Sequence, residues 1–259
     1  MIKIFDSAAH PTISGSWKTK SKILISSFLD LQKQMKKNKV YRACAIGLDN
    51  FEKYNHLKFI NTCQKYKNLT PVAGLNPSIR NIEKEIIYLK KIGYKIIKIH
   101  PRISKVNLLS KKFESCLRCI EKHDLKLMLC TYPFAEIGNN QKLDFMSILY
   151  KIFSRIKKLK IILLHGGSVK LLEFAEFVRN NPKNFLLDLS MTMQKYRGSS
   201  LDKDINFLFK NFDEKICIGS DYPEFNISKL RKDFIFYSKN INKKKKQNIA
   251  YKNLENFLD

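Results

Sequence analysis

The sequence predicts an α/β fold, a (β/α)8 barrel with an additional C-terminal helix, and a single domain over residues 1–259. Short apolar runs alternate with longer amphipathic stretches along the chain, and turn residues separate them, which is typical of parallel βα units. Eight such units can be counted, and a barrel of eight units commonly needs about 250 residues. An open doubly wound sheet is the alternative architecture.

The predicted strands are apolar runs rich in β-branched residues, and most of them end at a polar or turn residue. They cover residues 3–8, 41–48, 70–75, 95–100, 126–131, 160–164, 185–190 and 215–219. The predicted helices are the amphipathic stretches that follow, and Gly93 is the stop signal after the third of them. They cover residues 21–37, 54–65, 82–92, 111–122, 143–157, 168–179, 201–211, 227–240 and 245–257.

The formal net charge of +26 raises the question of nucleic-acid binding. Only eight of the 49 basic residues are arginine, and the lysines are spread over all the predicted helices. A solvated basic surface is therefore favoured, and nucleic acid ranks last among the predicted partners. A small, anionic molecule is the preferred partner, with homo-oligomer formation as a further option.

Neither a signal peptide nor a membrane span is predicted, because the apolar runs are much shorter than the roughly 20 residues that cross a bilayer. The expected location is the cytoplasm. The six cysteines agree with it, since they fall on apolar strands or helices and are interpreted as reduced core residues. The one close pair, Cys116 and Cys119, lies on a predicted helix without a second pair, so packing is favoured over redox or metal chemistry.

Polar residues follow several predicted strands, at the face where barrel enzymes place their chemistry. His10, His165 and Asp221 follow the first, sixth and eighth strands and could supply the three protein ligands of a catalytic zinc. Lys98 and His100 share one face of the fourth strand because side chains alternate along it. A lysine buried there needs a partner, either a barrel carboxylate such as Asp6 or Asp188 or the substrate. The non-functional interpretation is that each histidine is a hydrogen-bonded residue at the barrel rim.

Four segments together resemble the amidohydrolase superfamily, in particular its amidohydrolase-related branch of small barrels. They are Asp6-Ser7-Ala8-Ala9-His10-Pro11, the Gly93–Pro101 strand with Lys98 and His100, Leu164-His165-Gly166-Gly167 and Gly219-Ser220-Asp221-Tyr222-Pro223. The C-terminal stretch 249–258 resembles the closing helix of that branch. Two usual metal-binding histidines are missing, since Ala8 replaces one and Cys130 or Thr131 stands near the place of the other.

The resemblance implies lactonase-type or amidase-type hydrolysis, or a related decarboxylation, of a small carboxylated substrate. It implies Asp221, His165 and His10 as catalytic residues, with Asp221 activating water. The same three would hold one zinc or manganese ion, and a metal-independent reaction is the alternative. The substrate-binding candidates are polar or cationic residues at or near the strand ends, namely Lys98, His100, Arg102, Tyr132, Arg197 and Tyr222. A catalytically inactive barrel that serves binding or assembly is the second function considered.

Overall fold

A computed structural model describes residues 2–19, 21–133 and 144–259. Eight of its strands form one parallel sheet in the order β1, β4, β5, β6, β7, β8, β9, β10, and β2 and β3 form a separate hairpin. The strands are β1 (Ile4–Ala9), β2 (Ser16–Lys18), β3 (Ile23–Ile25), β4 (Val40–Ile46), β5 (Leu69–Gly74), β6 (Ile96–Ile99), β7 (Lys126–Cys130), β8 (Ile161–Leu164), β9 (Phe185–Asp188) and β10 (Ile216–Cys217). The (β/α)8 barrel is therefore confirmed.

Helices separate the barrel strands, and further helices follow the last one. They are α1 (Phe28–Lys37), α2 (His56–Gln64), α3 (Ile82–Lys91), α4 (Lys111–Lys122), α5 (Phe145–Phe153), α6 (Leu171–Asn180), α7 (Thr192–Lys195), α8 (Leu201–Asn211), α9 (Ile227–Tyr237), α10 (Lys243–Gln247) and α11 (Asn253–Leu258). The start of the helix expected over 143–157 lies outside the described residues. None of the helices in the described part of the chain has the length and apolar character needed to cross a membrane.

Two helix starts differ from the prediction by three residues or more. The helix expected from residue 21 begins only at Phe28, because the β-branched residues before it pair as strand β3 and Ser27 caps the helix by accepting a hydrogen bond from the Asp30 amide. The helix expected from residue 168 begins at Leu171. Between β8 and α6 the chain turns sharply through Gly166 and Gly167, which both have positive φ.

The core has two layers. Inner-face side chains fill the barrel, among them Phe5, Val72 and Met128, and Leu254 and Leu258 of α11 pack against them. Outer-face side chains of the strands pack against the surrounding helices in a larger cluster. The closing helix expected at the C-terminus therefore covers the filled interior of the barrel.

The barrel closes where β1 meets the segment after β10. The amide of Ser7 donates to the carbonyl of Ile218 at 3.0 Å, and the amide of Asp221 donates to the carbonyl of Ala8 at 2.8 Å. The buried carboxylate of Asp6 accepts hydrogen bonds from the amide and hydroxyl of Ser220, at 2.8 and 2.6 Å. Backbone pairing and one side chain together fix the position of Asp221 relative to β1.

Gly219 makes this close approach possible. A Cβ atom at position 219 would lie 2.4 Å from the Ser7 hydroxyl and 2.8 Å from the Ala8 amide nitrogen, distances that only a shift of the backbone could relieve. The seam therefore needs a residue without a side chain.

We expect Gly219→Ala to lower the free energy of unfolding by about 1–3 kcal/mol, the usual cost of overpacking a well-packed site. Chemical denaturation followed by circular dichroism measures the effect. Gly198→Ala is the matched control, because that glycine has open space around it and only its positive φ is strained by a side chain. A Gly219→Ala midpoint equal to that of the wild type would contradict a close-packed seam.

Candidate active site

Three of the predicted residues meet at the carboxyl ends of the strands. His10 follows β1, Lys98 lies on β6 and Asp221 follows β10, and all three are buried. Lys98 Nζ lies 3.1 Å from His10 Nε2, and Asp221 Oδ1 lies 3.5 Å from the same nitrogen. The closed barrel thus brings residues from distant parts of the sequence around one imidazole.

The contacts of His10 assign its tautomer. Its Nδ1 lies 3.2 Å from the carbonyl oxygen of Ile46, which can only accept a hydrogen bond, so Nδ1 carries the proton and Nε2 accepts from Lys98. Burial, and then the positive charge of Lys98, lower the pKa of His10 to about 4. The 3.5 Å contact with Asp221 is therefore not an ion pair at neutral pH.

The sequence analysis offered Asp6 and Asp188 as carboxylate partners of Lys98. In the described part of the chain, Lys98 forms a hydrogen bond with neither of them. Its described hydrogen bond goes to His10. Burial lowers the pKa of Lys98, and the negative charges of Cys130 and then Asp221 oppose that shift. Lys98 is thus a buried amino group held against the His10 ring.

His165 is held by the loop after β9. Its Nδ1 lies 3.1 Å from the Ser190 carbonyl oxygen, and its backbone amide donates to Asp188 Oδ1 at 3.1 Å. Burial disfavours the charged imidazole, but the negative charges of Cys130 and Asp221 raise the pKa of His165 to about 9. His165 is therefore a cation at neutral pH.

Asp221 is the anion of the group. Burial alone would raise its pKa, but the charge of His165 and then other neighbours, including Lys98, hold the pKa of Asp221 well below its usual range. The carboxylate is therefore ionised at neutral pH, and the charge of His165 is the largest contribution that favours this state.

Cys130 is a site residue that the sequence did not identify, since it was interpreted as a core residue. It ends β7, and its Sγ lies 3.6 Å from His100 Nε2. Burial alone would raise the pKa of this thiol, but the charges of His100 and His165 lower it well below its ordinary value. The signal in the sequence was its position, because Cys130 lies where the family motif suggested a histidine.

The backbone is strained at two of these residues. Asp221 has φ of 56° and His165 has φ of 68°, values in the left-handed region that residues other than glycine seldom adopt. Such conformations cost of order 1–3 kcal/mol each and cluster at functional sites. The closed seam and the Gly166-Gly167 turn hold the two residues in these conformations.

The other substrate-binding candidates divide between the barrel rim and more distant positions. Arg102 stacks over the ring of Tyr132 at 4.7 Å, and Lys195, which the sequence did not identify, donates to the Tyr132 hydroxyl at 2.7 Å. Arg197 instead stacks on Phe236 and lies 3.7 Å from Asp233 of α9. Arg102 and Lys195 thus form a cationic cluster around Tyr132 at the barrel rim.

The backbone of Tyr222 is next to His10, whose amide donates to the Tyr222 carbonyl at 2.7 Å, but the Tyr222 hydroxyl contacts other elements. The hydroxyl lies 2.8 Å from Asp30 of α1 and 3.2 Å from the Ile25 carbonyl oxygen, so it joins the seam to the first helix and to β3. The β2–β3 hairpin covers the neighbouring side of the site, with the Trp17 ring 5.4 Å from the His10 ring and Trp17 Nε1 donating to Glu224 at 2.6 Å.

The residues proposed as metal ligands do not form a three-ligand group. Among residues 2–19, 21–133 and 144–259, one set of three ligand atoms from different residues lies within 4.8 Å of one another, and it consists of Glu83, Cys119 and His123. At the barrel mouth, the Nε2 lone pair of His10 faces the amino group of Lys98. Within the part of the chain that the structure describes, His10, His165 and Asp221 therefore do not place three ligand atoms within 4.8 Å of one another.

The amidohydrolase family model matches residues 50–226. No curated protein matches the chain in sequence. The structure of this chain is similar to that of an uncharacterised TIM-barrel protein from Bordetella bronchiseptica, with 13% identity, a TM-score of 0.77 and coverage of 99% of this chain and 98% of the other.

Two similar structures are named as enzymes. One is a probable 2-pyrone-4,6-dicarboxylic acid hydrolase from Acinetobacter baumannii with citric acid bound, with 17% identity, a TM-score of 0.70 and coverage of 98% of both chains. The other is 5-carboxyvanillate decarboxylase from Sphingomonas paucimobilis, with 12% identity, a TM-score of 0.73 and coverage of 100% of this chain and 99% of the other. At these identities the similarity establishes the fold.

We expect Lys98→Met to raise the pKa of His10 above about 4, because the substitution removes a positive charge that opposes protonation of the ring. Imidazole chemical shifts followed by NMR over a pH titration measure the change. His56 is the internal control, since burial is the only cause that lowers its pKa to about 4. Equal pKa values of His10 in the wild type and the variant would show that Lys98 carries no charge beside it.

Proposed function

This chain belongs to the amidohydrolase family, and from that premise we propose that it hydrolyses a small anionic substrate at the barrel mouth, with Asp221 activating water. The supporting observation is the placement of an ionised carboxylate beside Lys98, His10 and His165 at the strand ends. A lactone or an amide is the preferred substrate type, and decarboxylation is the related reaction.

In the proposed reaction, Asp221 takes a proton from a water molecule as the water oxygen attacks the substrate carbonyl carbon. The carbonyl double bond opens, and its oxygen becomes an anion that Lys98 and the protonated His165 stabilise. The bond to the leaving oxygen or nitrogen then breaks, and the leaving group takes the proton from Asp221. Neutral His10 keeps Lys98 in place through its Nε2.

The reaction is proposed to need no metal. A metal would polarise the substrate carbonyl and lower the pKa of water, whereas here buried cations stand beside Asp221. Lys98 Nζ lies 3.1 Å from Nε2 of His10, the nitrogen that a metal at this site would bind. The ammonium group of Lys98 therefore provides positive charge where the metal would provide it.

Charge supports an anionic substrate. The positive groups His165 and Lys98 hold the pKa of Asp221 so low that the carboxylate is a weak base in the free protein. A substrate carboxylate bound between these groups and the rim residues Arg102 and Lys195 would offset their charge and raise the basicity of Asp221. Two similar structures are named for carboxylated compounds, and one of them holds citric acid.

The second candidate is an inactive barrel for binding or assembly. Ala8 and Cys130 favour it, because they stand where the family resemblance implied metal-binding histidines. A binding protein would retain affinity for the anion without turnover, so direct activity measurements separate the two functions.

We expect Asp221→Asn to lower kcat/KM about 10²–10⁴-fold, the usual contribution of a general base. The assay is a panel of small lactones and amides with and without a carboxylate, which includes 2-pyrone-4,6-dicarboxylate. Asn is the chosen replacement because it tolerates the left-handed backbone of position 221. Asp49→Asn, at another strand end, is the control. Wild-type turnover in the Asp221→Asn variant would contradict the proposed role, and absence of turnover in the wild type would favour the binding barrel.

The expected pH dependence of kcat/KM follows from the charge state of His165. Its raised pKa keeps the cation present below pH of about 9 and removes it as the pH rises further. We therefore expect kcat/KM to be level near neutral pH and to fall tenfold per pH unit above about 9. A profile that rises through pH 9 would instead indicate that neutral His165 acts as a base.

A further inference from the structure

A cluster of three potential metal ligands, outside the barrel mouth, lies between helices α3 and α4. Cys119 and His123 are four residues apart at the end of α4, so their side chains share one face of the helix, and Glu83 comes from the first turn of α3. One ligand atom of each lies within 4.8 Å of the other two. The proposed hydrolase uses none of these residues.

His123 has an unexplained nitrogen. Its Nε2 is buried and, within the described part of the chain, has no hydrogen-bond partner. A buried polar atom without a partner is destabilising, because it has given up its hydrogen bonds to water without a replacement. Cys119 is also nearly covered, at 7% exposure, and its thiol lies in the same small group. An imidazole nitrogen, a thiol and a carboxylate therefore converge without a shared polar partner.

From this convergence we propose that Glu83, Cys119 and His123 form a zinc site that connects α3 to α4. Imidazole, thiolate and carboxylate are the ligand types that zinc prefers, and three of them leave a fourth tetrahedral position for water. Zinc–ligand bonds of about 2.0–2.3 Å require the three atoms to draw together slightly. Rotation of the exposed Glu83 side chain can provide that movement.

Binding includes one proton transfer. The thiol of Cys119 gives its proton to solvent as the zinc–sulfur bond forms, so zinc affinity rises with pH. Zinc binding also requires Glu83 to give up its hydrogen bond with Lys122, whose Nζ donates to Glu83 Oε1 at 3.0 Å. Both side chains of that ion pair are more than half exposed, so the pair is weak and gives way to the metal.

Cobalt(II) titration of the metal-free full-length protein tests the site, because cobalt bound to a thiolate gives a sulfur-to-metal charge-transfer band. We expect one equivalent to give this band in the wild type. Cys119→Ser should abolish the band, while His123→Gln and Glu83→Gln should weaken cobalt affinity at least about tenfold. Cys116→Ser and Glu85→Gln are the matched controls from the same two helices and should keep wild-type affinity.

Cys130→Ser shows which thiol binds the cobalt, because Cys130 also lies beside a histidine, His100, and could bind the metal at the barrel mouth. A band that persists in Cys119→Ser and disappears in Cys130→Ser would overturn the proposal and place the metal at the barrel mouth. A band absent from the wild type would overturn it as well. Glu83→Gln keeps the test valid if a core variant fails to fold, because Glu83 is exposed.

Zinc should also stabilise the fold without changing the chemistry. At a zinc concentration about 100-fold above Kd, we expect the Tm to rise by about 5 °C in the wild type and not in Cys119→Ser. A chelator should reverse this shift and leave kcat/KM for the proposed hydrolysis unchanged. Loss of turnover with an unchanged Tm would refute the metal-free reaction and this site together, whereas a reversed Tm shift without any turnover would refute the proposed function alone.

Discussion

The site depends on the contact that closes the barrel, the pairing of β1 with the segment after β10. Asp6 accepts two hydrogen bonds from Ser220, and Gly219 allows the backbones to approach. Burial raises the pKa of Asp6 to about 7, so this contact carries a cost that only a well-formed hydrogen-bond network can offset. Because Asp221 follows Ser220 directly, the groups that close the barrel also place the carboxylate beside His10.

The electrostatic balance of the mouth follows from burial of several charged groups in a small volume. Burial and then the charge of Lys98 keep His10 neutral, while the negative charges of Cys130 and Asp221 keep His165 charged in spite of its burial. Two identical side chains thus take opposite charge states from their neighbours, which is how one site can contain both a positioning group and a stabilising cation. This division of roles needs no imidazole at position 8, where Ala8 instead packs in the barrel interior.

The sequence predicted the barrel well because most residues of its strands are buried, and burial on both faces gives apolar runs that stand out from amphipathic helices. The β2–β3 hairpin was missed because Ile23, Leu24 and Ile25 form a run too short to show a period, and the side chains of Ile23 and Ile25 stay exposed. His10 and Asp221 were predicted from their positions after strands. Cys130 was not predicted, since its position was the one signal and a thiol on an apolar strand joins the site only when the fold brings His100 and His165 to it.

The strained conformations of His165 and Asp221 indicate which constraints act on the site. A glycine at either position would relieve the strain, and the chain has glycines close to both, Gly166 directly after His165 and Gly219 two residues before Asp221. The two side chains are therefore retained where the backbone disfavours them, although stability alone would favour their loss. Since the same two groups set the charge of the mouth, the strain argues that their side chains serve chemistry or binding there, and it argues against a role limited to packing.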